Sequence, residues 1–153
     1  MSEPTNVTPF RPRPKTPPPR GSRGFDPQRP QHKVLLMHGL TAAAFLVTWA
    51  LTFPLSLLGL GAGIGAVAIA QSNRRDGMPW AQTHHEFGVR TLLLGAAVWV
   101  VVGLLVMLPI PGLAAIVDLV QLAVLVWVLA RTAAGIWRAL NRRPTPNPMT
   151  PLL

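Results

Sequence analysis

Residues 34–70 read VLLMHGLTAAAFLVTWALTFPLSLLGLGAGIGAVAIA, 37 positions without one Asp, Glu, Lys or Arg. As a single helix the run would be about 55 Å long, against roughly 30 Å of hydrocarbon in a bilayer. It must therefore break. Phe53-Pro54-Leu55-Ser56 supplies the break, because proline removes a backbone donor and disfavours helix in the residue before it. The stretch predicts a helix over about 33–53 and a shorter one over about 56–72. In the second, Gly59, Gly61, Gly63 and Gly65 make two small-xxx-small pairs, the spacing that lets helices approach closely in lipid. The same glycines do not fit G-x-G-x-x-G and follow no strand, which argues against a nucleotide loop.

Working outward, residues 91–130 hold a single charge, Asp118. They predict a third helix over about 83–108, closed by Pro109-Ile110-Pro111-Gly112, and a fourth over about 113–140. The expected fold is all-α, an integral membrane bundle of four transmembrane helices over 33–140. Residues 1–32 form a Pro/Arg-rich tail with nine prolines and too few aliphatic residues to offset its ordering entropy, so disorder is expected there. Residues 141–153 form a shorter Pro-rich tail. The first thirty residues hold no apolar run of signal-peptide type, so the first hydrophobic segment is expected to act as an uncleaved anchor.

Charge sets the topology. The formal net charge is +9, and the 14 Lys and Arg fall in three places. These are the tail through Lys33, the region of Arg74, Arg75 and Arg90, and the end with Arg131, Arg138, Arg142 and Arg143. Four crossings put all three on one side and leave the turns at 53–56 and 108–112 without a cation, as the positive-inside rule requires of an inner-membrane protein with both termini cytoplasmic. A short re-entrant hairpin in place of the first two helices leaves the same pattern. The basic tail is expected to rest on anionic lipid headgroups, at about 1 kcal/mol per basic residue. Without aromatic interleaving or a folded basic domain, nucleic acid is not an expected partner.

The chain has no cysteine, which excludes disulfides, thiolate metal sites and cysteine nucleophiles. Its one cluster of polar residues between apolar segments is WAQTHHEFGVRT, residues 80–91. Thr83 and Glu86 form T-x-x-E ahead of an apolar run, the signature of a capping box. His84 and His85 point about 100° apart on a helix, so they cannot grip one metal as i, i+4 histidines do. His84, Phe87, Arg90 and Thr91 share a face. Arg90 and Arg131 are expected to snorkel to headgroups, with Trp80 and Trp137 in the interfacial belt. Trp127, Arg131 and Gly135 share a face of the fourth helix, opposite Asp118. Asp118 is expected to face the bundle interior, with Gln121 one turn on and Thr48 of the first helix at similar depth as its hydrogen-bond partner. No catalytic, cofactor-binding or metal-binding set can be composed, and no enzyme activity is expected.

The patterns H84-x-x-F87-x-x-R90-T91 and W127-x-x-x-R131-x-x-x-G135, with IGAVAIAQSNRRDG before them, resemble a family of small uncharacterised bacterial inner-membrane proteins. That family is distantly similar in helix layout to the channel subunit of the chloroplast inner-envelope protein translocon. Leu92 and Leu93 stand where the family usually has aromatic residues, and its tyrosine near Ala70-Gln71 is missing. The resemblance implies a four-helix membrane bundle. The functional expectation is an accessory or scaffold subunit that binds another membrane protein or itself. The alternative is a transporter or pore subunit working through Asp118.

Overall fold

The structure is a computed structural model and describes residues 26, 29–73 and 78–145. The expected tail up to Phe25, Arg74 and Arg75, and the chain past residue 145 lie outside the described residues. Among the described residues the chain is all-helical: α1 (Pro30–Ala50), α2 (Leu57–Ser72), α3 (Pro79–Leu105) and α4 (Leu113–Leu140).

Two helices start earlier than expected, and both open with proline. Pro30 and Pro79 sit in the first turns of α1 and α3, where a missing N–H costs nothing and the fixed φ is already helical. This corrects the capping-box expectation. The N-cap of α3 is Met78, so Thr83 lies inside the helix and donates to the Trp80 carbonyl at 2.8 Å. Glu86 instead accepts from Arg90 Nη2 at 3.0 Å. T-x-x-E caps only where the chain upstream leaves the helix, and Pro79 continues it. At the other end, Gly112 adopts φ +80°, a left-handed conformation that few side chains tolerate, and turns the chain into α4.

The helices run up and down, with α1 against all three others and α2 and α4 apart. Long-range bonds gather the same end of each. Lys33 Nζ donates to Asn73 Oδ1 at 2.7 Å, tying the start of α1 to the end of α2. Gln31 Nε2 donates to the Ala139 and Leu140 carbonyls at 3.3 Å. The Thr145 amide donates to Thr83 Oγ1 at 3.2 Å. The core runs up the middle through Met37, Phe45, Leu92, Leu125 and Val128.

The helices are unequal in length. A β-carbon built on Gly95 would lie 2.7 Å from Phe45 Cζ, which sets Phe45 and Gly95 level. From there α1 continues to residue 50 and α3 to residue 105, so the α3–α4 hairpin outruns α1 by about five residues, or about 7.5 Å. Three helices, α1, α3 and α4, are long and apolar enough to cross a membrane. The 16 residues of α2 span about 24 Å.

Candidate functional site

The two patterns singled out on α3 and α4 meet in one buried cluster at the end where the termini gather. His84, Phe87 and Thr91 come from successive turns of α3, because spacings of three and four stack side chains on one face. Trp127, Arg131 and Gly135 come from α4 at spacings of four. The third wall is α1, which contributes His38.

Arg131 sits at the centre with no exposed surface. Its guanidinium carbon lies 4.0 Å from the centroid of the Phe87 ring and 5.2 Å from that of Trp127. Its Nε donates to Thr91 Oγ1 at 3.0 Å, and that hydroxyl donates in turn to the Phe87 carbonyl at 2.7 Å. A desolvated cation between ring faces gains about 2 kcal/mol or more from the ring quadrupoles. Arg131 is therefore a core residue. The expectation that it snorkels to headgroups is corrected: the side chain is buried against α3, away from the surface.

Beside it the histidines form a directed chain. His84 Nε2 lies 2.8 Å from the Arg143 carbonyl oxygen, which can only accept, so this nitrogen carries the proton. With neutral rings, His84 Nδ1 then accepts from His38 Nε2 at 3.4 Å. That leaves His38 Nδ1 as a bare acceptor, buried and without a hydrogen-bond partner among the described residues. The rings also meet edge to face, with centroids 5.6 Å apart for His38 and His84 and 6.2 Å apart for His38 and Phe87. Gly135 lets α4 pass close to this group. A β-carbon there would lie 2.5 Å from His38 Cε1.

The chain matches no family model, curated protein or solved structure.

Of the residues expected to form one face with His84, Arg90 does not join. It points outward, 40% exposed at its side chain, and pairs with Glu86. His85 is buried next to the cluster, its Nδ1 without a hydrogen-bond partner among the described residues. Asp118 corrects the sequence expectation most sharply. It lies on an exposed face of α4, between Val117, which is buried, and Leu119, which is 67% exposed. Gln121 is half-buried near Gly103 of α3. Thr48 donates to the Ala44 carbonyl at 2.7 Å and packs against Gly59 of α2, on the far side of α1 from α4. The reason is angular. Asp118 and Arg131 lie on nearly opposite faces of one helix, so only one of the two faces can turn inward, and the Arg131 face is the one that Phe87 and Thr91 of α3 meet.

Sequence reasoning passed over His38 and the strap of Arg143 to Thr145. A signal for His38 was present: it is the one titratable residue in the uncharged run of residues 34–70. The strap carries no local signal, since its bonds are made by backbone atoms.

Proposed function

We propose that this chain is a small multi-pass protein of the bacterial inner membrane, with both termini cytoplasmic, and that it works as an accessory or scaffold subunit. The observation that carries this reading is the α3–α4 hairpin beyond the end of α1. Val101, Leu104 and Leu119 are each more than 60% exposed there, and Asp118 stands among them. A continuous apolar surface of this kind marks contact with membrane or partner. A carboxylate at membrane depth is stabilised by an opposite charge. A second copy carries no Lys or Arg between 91 and 130 or between 34 and 73 to meet it, which favours a different membrane protein as partner.

The placement of charge supports the orientation, since the described ends rich in Lys and Arg lie together. The basic tail then lies over anionic headgroups of the same leaflet. The meeting of the His84 and Trp127 patterns in one cluster is what a shared fold with the resembled family would require. α1 and α2 form the hairpin of the bundle, whose turn stops below that of α3–α4. A transporter or pore working through Asp118 has less support, because its carboxylate faces away from the helix interfaces.

Photocrosslinkers at Leu119 and Leu104 in native membranes test the reading. The expected result is an adduct whose crosslinked peptide maps to a transmembrane helix with a Lys or Arg within a turn, and which weakens in Asp118→Asn. Adducts to lipid alone, or a chain recovered in the soluble fraction, would overturn it.

A further inference from the structure

On the side of α1 away from α4, a groove of about 610 Å³ opens sideways between α2 and α3. Phe45 of α1 forms its floor, Ile64 and Val67 of α2 one wall, and Leu93, Ala96 and Trp99 of α3 the other. The only side-chain hydroxyls that line it are those of Thr48 and Ser56, and Thr48 donates its proton to the Ala44 carbonyl. Along α3 it extends from Leu92 to Val100, about 12 Å. A space so poor in polar partners does not hold water.

One turn below Leu93, at the edge of the groove-facing side of α3, sits Arg90. Its Nη2 bonds Glu86 at 3.0 Å, and its other donors have no hydrogen-bond partner among the described residues. A half-exposed guanidinium with donors to spare therefore stands about one helical turn below the end of the groove that Leu93 lines. An apolar slot with a group close by that binds phosphate oxygens through forked N–H donors suits a phospholipid. We propose that the groove holds one acyl chain of an anionic phospholipid from the cytoplasmic leaflet, with its phosphate on Arg90. Glu86 holds one edge of the guanidinium, and the remaining donors meet the phosphate. Gly63 contributes to the slot by the side chain it lacks, since a β-carbon there would lie 3.6 Å from Leu92 Cδ1 and a larger group would reach into the space.

The inference rests on the membrane reading above, and the test separates the two. The full chain is extracted from carbonate-washed membranes in mild detergent and examined by native mass spectrometry with added phosphatidylglycerol or phosphatidylcholine. Wild type is expected to keep one phospholipid per chain at activation energies that strip detergent, preferring phosphatidylglycerol several-fold. Ala96→Phe and Ile64→Trp, which fill the groove from opposite walls, should lose it while circular dichroism shows unchanged helix content. Arg90→Gln should keep a lipid and lose the preference. A membrane-bound chain that retains no phospholipid, filled variants that retain as much as wild type, or a preference untouched by Arg90→Gln would overturn this proposal alone. Recovery in the soluble fraction would overturn both readings.

Discussion

A methyl group added at Gly135 would meet the His38 ring at 2.5 Å, and that ring is held by His84 on one side and Phe87 on the other. Gly88, one α-helix away, is superficially alike: a β-carbon there would lie 2.5 Å from Met37 Cε and Sδ. The two differ in what must move. An unbranched methionine swings aside, whereas a wedged imidazole cannot. Gly135→Ala should therefore cost about 1–3 kcal/mol of stability and Gly88→Ala under about 1 kcal/mol, measured as unfolding in detergent micelles. Equal losses would mean that His38 is not fixed. Arg131→Lys keeps the charge but loses the flat face that stacks on Phe87 and Trp127, and the same assay should show a loss of about 2 kcal/mol. The residues of this cluster were legible one helix at a time, as stripes at spacings of three and four. Their meeting was not, because no periodicity says which stripe on one helix faces which stripe on another.

At the scale of the element, the glycines of α2 set how close it comes to α1. A β-carbon at Gly59 would fall on the Thr48 hydroxyl and 2.5 Å from the Ala44 carbonyl oxygen, so the two backbones nearly touch there. At Gly63 the same construction lies 3.7 Å from Ala44 Cβ, within the usual range for a disulfide. The chain has no native cysteine, so paired substitutions report cleanly. Ala44→Cys with Gly63→Cys should cross-link on mild oxidation in membranes, while Thr48→Cys with Asp118→Cys should not. The reverse pattern on gel shift would show that Asp118 turns inward after all. Close α1–α2 packing could be read from the glycine spacing itself. The helix starts could not, because T-x-x-E reads as a cap whether or not proline upstream has already begun the helix.

For the whole molecule, the unequal hairpins make a prediction about reach. The α3–α4 turn extends past the end of α1, while the α1–α2 turn is shorter and α2 spans about 24 Å. In a bilayer of roughly 30 Å hydrocarbon thickness, Met107→Cys should react fast with a membrane-impermeant maleimide from the side opposite the termini. Phe53→Cys should react more slowly from that side, and Asn141→Cys only from the side of the termini. Labelling of Phe53→Cys as fast as Met107→Cys would make the first hairpin a full crossing of equal height.

The sequence by itself determined that the chain is helical, where it must turn, and which ends share a side. Apolar length, proline and the sorting of charge act locally or along one axis, and each can be counted along the chain. Only the tertiary structure decided which face of each helix turns inward. On α4 the competition was between a face with Asp118 and one with Trp127, Arg131 and Gly135. The second turns inward because Phe87 and Thr91 on α3 offer its cation a ring face and a hydroxyl, and His38 of α1 packs against that same Phe87 ring. A buried arginine is stable only with partners, and apart from Trp127 one turn away those of Arg131 come from α3, 40 or more residues away in sequence.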